Sequence, residues 1–128
     1  EMWADCEVTV HGDATPTNFF FPPHDGVTAI DLEHARRADR SYDVGMIAGE
    51  LKHHFAWRVG CAGDAEPFIG HFLWEYCGHF PNRDAAFTAV TQRMRFYMAL
   101  AELRIARNGW LSWGHRKWLV DEAERCLR

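Results

Sequence analysis

Lysine is almost missing: Lys52 and Lys117 are the two exceptions in an otherwise all-arginine set of 14 basic side chains. Set against 18 acidic residues, that leaves a net charge of −4. The balance argues against a general DNA or RNA coat protein, and no nucleic-acid partner is expected. No C-x-x-C pair occurs, because Cys6, Cys61, Cys77 and Cys126 stand far apart. Zinc-ribbon and thioredoxin readings therefore lack support, and reduced thiols in a cytoplasmic protein are expected. No uncharged apolar run approaches the roughly 20 residues that span a bilayer, so no membrane partner is expected. The opening Glu1-Met2-Trp3-Ala4-Asp5 shows neither the basic region nor the apolar core of a signal peptide. Internal repeats and low-complexity tracts are also lacking.

What is present is a globular composition. Hydrophobic residues make up 48% of the chain and aromatics 14%, which excludes a disordered linker, an acidic tail or a collagen-like repeat. A length of 128 residues suits one domain, or part of one, with a buried core. Charge is uneven along it. Acidic side chains dominate residues 1–50 and basic ones residues 51–128. This suggests a cation-handling region early in the chain, for a metal or an amine, beside the plainer alternative of a solvated acidic surface.

The texture changes near residue 40. Before it, Cys6, Val8 and Val10 alternate with Asp5, Glu7 and Thr9 as in a half-buried strand. Asn18-Phe19-Phe20-Phe21 and Val27-Thr28-Ala29-Ile30 flank Pro22-Pro23-His24-Asp25-Gly26, a hairpin pattern with a five-residue loop. After residue 40 the periodicity is helical. One helix, capped by Asp39 or Ser41, runs to about Val59 and stops at Gly60. Others cover roughly 66–79, 84–107 and 112–127. Phe87, Val90, Met94, Met98, Ala101 and Ile105 form the main stripe of the third, with Phe96, Leu100 and Leu103 opposite. Apolar residues on two sides predict a central helix. The expected fold class is α+β, with residues 1–40 as a loop-and-hairpin segment and residues 41–128 as the helical part of the same domain.

The stretch that carries chemistry is Val8-Thr9-Val10-His11-Gly12-Asp13-Ala14-Thr15-Pro16-Thr17-Asn18. A strand delivers His-x-Asp into a tight loop, and Asn18 comes five positions after Asp13. Kinases use this layout, with an Asp that accepts the proton of the substrate hydroxyl and an Asn that holds Mg²⁺. Asp31 follows at the end of the hairpin, where kinases place a second Mg²⁺-binding carboxylate. A hard cation wants such oxygen donors. Asp, Asn and Asp are also favoured in turns and caps, but here base, amide, hairpin and carboxylate occur in register.

With those residues in view, the segment resembles the catalytic core of the aminoglycoside phosphotransferase/choline kinase-like family, within the protein-kinase-like fold. His11-Gly12-Asp13 with Asn18 matches the family's catalytic loop, and Ile30-Asp31-Leu32-Glu33 its metal motif. Asp39-Arg40-Ser41-Tyr42-Asp43-Val44 resembles a downstream Asp-x-x-Tyr-Asp-like segment. The resemblance is tight over residues 8–44 and looser beyond. It implies Asp13 as catalytic base and Asn18 and Asp31 as ligands of Mg²⁺ bridging the phosphates of ATP. It also implies supporting roles for His11, which would hold the metal-binding strand, for Asp43, which would bond the loop backbone, and for Glu33, beside the metal. The implied partners are ATP and a small-molecule hydroxyl acceptor such as an aminoglycoside, an amino-alcohol or a sugar.

One departure is large. Such kinases need an N-terminal lobe with a nucleotide-covering loop and a phosphate-pairing Lys. This sequence has no G-x-G and no G-K-[ST], and both lysines follow the catalytic core. It is therefore expected to be the C-terminal lobe of a longer kinase and a poor catalyst alone. A non-catalytic, pseudokinase-like interaction module is the alternative. A weaker rival is a metal-binding helical protein using His71, Glu75 and His79, or the Glu-x-x-His at Glu50 and His53. Arg93, Arg95, Arg104 and Arg107 are expected to be rim charges pairing with the acidic first half. Trp57, Trp74, Trp110, Trp113 and Trp118 are expected in the core or lining a cleft.

Overall fold

The computed structural model describes residues 8–128. These form four short strands and four α-helices, a mixed α+β arrangement. Strand β1 (Val8–Val10) pairs antiparallel with β4 (Arg36–Ala38), with Val8 opposite Ala38 and Val10 opposite Arg36. Strands β2 (Phe19–Phe20) and β3 (Thr28–Ala29) form a second antiparallel pair. Val10 is buried and Thr9 exposed, as the alternation requires. The expected Asp5, Cys6 and Glu7 part of that strand lies outside the described residues. The hairpin loop is wider than the five residues expected, because Phe21 and Val27 stay unpaired in the ladder.

Helix α1 (Ser41–Arg58) starts on Asp39, whose carboxylate accepts the Ser41 N–H at 2.8 Å and whose carbonyl accepts the Tyr42 N–H at 2.9 Å. The rest of the bundle is α2 (Glu66–Cys77), α3 (Arg83–Ala106) and α4 (Trp113–Cys126). Asn82 and Ser112 cap α3 and α4, each accepting a backbone N–H from three residues on, Ala85 and His115. These bounds agree with the periodicity to within two residues. No described helix is long and apolar enough to cross a membrane.

Helix α3 packs against α1, α2 and α4, and the core forms around its first stripe. Val44 and Ala48 of α1 meet Ile69, Leu73 and Cys77 of α2 and Val90, Met94 and Met98 of α3. Ile105, Ala106, Leu111 and Leu119 close a second cluster at the α3–α4 junction. Two glycines let α1 approach closely. A Cβ on Gly45 would sit 2.8 Å from the Met94 carbonyl oxygen, and one on Gly49 would sit 2.7 Å from the Ala101 Cβ.

One expectation fails on burial and another holds in part. The second stripe of α3 is not packed, since Phe96, Leu100 and Leu103 stay exposed while the helix is central through one side only. Of the five tryptophans expected in the core or lining a cleft, Trp118 is half-buried against the second cluster and Trp113 borders a cavity with Ala106 and Val120, while Trp57, Trp74 and Trp110 are exposed.

Candidate active site

Strand β1 ends at Val10 and the chain turns through Gly12, whose φ of +83° suits glycine. A side chain there would also collide with the His34 carbonyl. Asp43, in the first turn of α1, accepts the backbone N–H of His11 at 2.6 Å and of Gly12 at 3.1 Å. The helix thus fixes the loop by two charge-assisted bonds.

His11 links this loop to the strand beside it. Its Nε2 lies 2.8 Å from the Ile30 carbonyl oxygen, and its Nδ1 accepts the Asp13 N–H at 3.4 Å. One tautomer, protonated on Nε2, satisfies both contacts. Asn18 closes the loop, its side-chain amide donating to the Asp13 carbonyl at 2.9 Å. That assignment turns the carbamoyl oxygen into the atom left to meet a cation. The Asn18 carbonyl in turn accepts the Ile30 N–H at 3.0 Å, so the amide and Asp31 lie on adjoining backbone.

Asp31 takes a left-handed backbone, φ 67° and ψ 47°, alone among the described non-glycine residues. That conformation is tolerated by Asp but costly, and it gathers at functional sites. A hydrogen bond with Glu33 and the negative charge of Glu33 raise the Asp31 pKa, and the charge of Asp13 adds to the effect. Glu33 is lowered by its own backbone hydrogen bond and by the one with Asp31. Three carboxylates therefore act on one another, a repulsion that a cation would relieve. Carboxylate and amide oxygens suit a hard ion such as Mg²⁺.

Sequence reasoning missed one member. Arg104, from the last turn of α3, pairs with Asp13 Oδ1 through one nitrogen and with Glu50 Oε1, at 3.5 Å, through another. Burial opposes its charge, but the hydrogen bond and charge of Asp13 prevail and raise its pKa. Burial raises the Glu50 carboxyl against the pull of Arg104. Asp13, Thr15, Glu50, Arg104, Arg107 and Asn108 border a polar cavity of about 320 Å³. The expectation that α3 arginines pair with the acidic first half holds for Arg104 and for Arg93, 3.7 Å from Asp39. The signal for Arg104 was there, but nothing in the spacing picked it out of four.

The rival metal readings do not assemble. Glu75 is engaged with Arg83 at 2.9 Å, and His71 and His79 are exposed. Glu50 turns to Arg104, while His53 Nδ1 meets His115 Nε2 at 2.9 Å.

Comparison with protein families gives a match to the phosphotransferase enzyme family over residues 2–97, which takes in the Asp13 loop, the hairpin and most of the bundle. The chain belongs to that family. No curated protein and no solved structure matches it. Arg104 and α4 lie beyond the matched residues.

Proposed function

We infer that the protein is an ATP- and Mg²⁺-dependent phosphotransferase acting on a hydroxyl of a small molecule, and that residues 8–128 form the C-terminal lobe of a kinase-like fold. The observation that carries this reading is the bridge from His11 to the Ile30 carbonyl, which ties the loop of Asp13 and Asn18 to the backbone of Asp31. Residues 1–40 and 41–128 then work as one lobe.

Asp13 is the base in this reading. It borders the polar cavity, where an acceptor hydroxyl would sit, and Arg104 fixes the direction of its carboxylate. The proton moves from the hydroxyl to Asp13 as the oxygen attacks the terminal phosphoryl group of ATP, whose bond to the bridging oxygen breaks so that ADP leaves. Asn18 and Asp31 would hold the magnesium ion, with Glu33 beside them. When bound, the ion neutralises phosphate charge in the transition state. His11 and Asp43 hold the loop that carries the base. Phe20, Phe21, Val27, Ile30 and Leu32 stand exposed around the hairpin. Such a surface suits a nucleotide base and an N-terminal lobe of the same polypeptide. Arg104 and Glu50 side by side suit an acceptor with polar groups of either sign, so sugars, amino-sugars and amino-alcohols are the class to screen.

The test is ATP consumption by the full-length protein against such acceptors, with and without Mg²⁺. Acceptor-dependent turnover that needs the ion and disappears in Asp13→Asn supports the reading. Turnover unaffected by that substitution overturns it.

A further inference from the structure

The most polar buried cluster of the bundle lies away from Asp13, where α1, α3 and α4 meet. Glu102 of α3 is fully buried, and its Oε1 has no hydrogen-bond partner. Its Oε2 lies 3.9 Å from the Cys126 thiol at the end of α4. Glu122, one turn earlier on α4, is 6% exposed. One atom from each of Glu102, Glu122 and Cys126 lies within 4.8 Å of the others, the one such trio among the described residues. A buried carboxyl oxygen with no partner is costly, so this position calls for a proton or a cation.

We propose that Glu102, Glu122 and Cys126 bind a divalent ion of the zinc class, with the open coordination position facing the adjoining cavity. Two carboxylate oxygens and one sulfur are ligands for a borderline-soft ion rather than for Mg²⁺ or Ca²⁺. Three protein ligands leave one tetrahedral position open. Glu122 and Cys126 border a cavity of about 290 Å³ also lined by Lys52, Glu66 and Arg95, so water or a small anion has access. Lys52 now sits 2.6 Å from Glu122 and would compete with the metal. It also holds Glu66 at 3.2 Å, so it keeps a carboxylate partner when Glu122 turns to the ion. Arg125 pairs with the other Glu122 oxygen and can remain there. The trio comes from α3 and α4, so a bound ion would pin the end of α4 to the central helix. Arg104, two residues from Glu102, ties the same stretch of α3 to Asp13.

The test uses the protein stripped of metal with a chelator and titrated with Zn²⁺ alone, then with Co²⁺ as a coloured substitute. Its readouts are stoichiometry, affinity and spectrum, so a failed phosphotransfer assay leaves it standing. One equivalent should bind, and the cobalt form should show a thiolate-to-metal charge-transfer band. Cys126→Ser should abolish that band. Glu102→Gln, which keeps the side-chain shape, should weaken Zn²⁺ binding by tenfold or more, and Glu122→Gln likewise. Failure to bind an equivalent, or binding that survives all three substitutions, overturns the proposal. So does a cobalt spectrum without the thiolate band in the unsubstituted protein.

Discussion

Arg104 and Asp13, 91 positions apart, form an ion pair that joins the end of the central helix to the loop after β1. The same guanidinium reaches Glu50 on α1, so one side chain ties together three segments. If Asp13 is the base, Arg104 aims it. Arg104→Ala should then lower kcat/KM by about 10²-fold, the scale of misplacing a reacting group by an ångström. The loss should fall on kcat, with the KM for nucleotide unchanged. Arg104→Lys should recover part of it, since an ammonium keeps the charge but cannot fork to both carboxylates. An alanine variant with wild-type turnover would refute the aiming role.

The proposed base and metal ligand should separate kinetically. Asp13→Asn removes proton acceptance and should cost about 10²–10⁴-fold in turnover while nucleotide binding stays nearly intact. Asp31→Ala should act on the other side, weakening Mg²⁺-nucleotide binding measured by titration calorimetry. Relief of the repulsion among Asp31, Glu33 and Asp13 should also make Asp31→Asn bind Mg²⁺ less tightly without harming the fold. Equal nucleotide affinity in the wild-type and Asp31→Ala proteins would count against that assignment.

Asp43 does its work from the first turn of a helix. Its carboxylate receives two backbone N–H groups of the loop, and Asp43→Ala leaves both donors unmet. The expected cost is about 1–3 kcal/mol of stability, read from urea unfolding. Activity should fall further than stability predicts, because the residue after Gly12 is the proposed base. Asp43→Asn offers one oxygen in place of two and should lie between. If both variants unfold like the wild type, the loop is held by something other than Asp43.

The loop, the hairpin and the helices were legible because their signals are local. His11, Gly12, Asp13 and Asn18 lie within eight positions, and Asp31 follows one hairpin later. The geometry adds reasons for that spacing, such as the collision that keeps residue 12 a glycine. What could not be read was which distant partners meet. Arg104 stood in a set of four arginines, and its pairing with Asp13 depends on how closely α3 packs on α1, a closeness permitted by Gly45 and Gly49. Burial of the second α3 stripe was misjudged for a related reason. Periodicity shows that a face is apolar and leaves open whether another layer covers it.

The contact between His53 and His115 gives a pH dependence with a definite sign. The rings of α1 and α4 meet at 5.0 Å, with Nδ1 of one 2.9 Å from Nε2 of the other. One nitrogen must donate and the other accept, so the pair cannot be doubly protonated without repulsion. Burial, then the neighbouring His115 and His54, push the His53 pKa down from 6.5 to about 4. Burial lowers His115 as well. In the unfolded chain His53 takes up its proton near pH 6.5, whereas the folded chain resists until about pH 4. Between those values the unfolded state binds more protons, so stability is fully present above pH 6.5 and declines as the solution is acidified towards pH 4. The full effect is about 3 kcal/mol, of which about 2 should be lost by pH 5. His53→Gln cannot take up the proton, so the drop in urea-unfolding free energy from pH 7 to pH 5 should be smaller in the variant by about that 2 kcal/mol. Parallel losses in the two proteins would mean that acid destabilises the bundle through other groups.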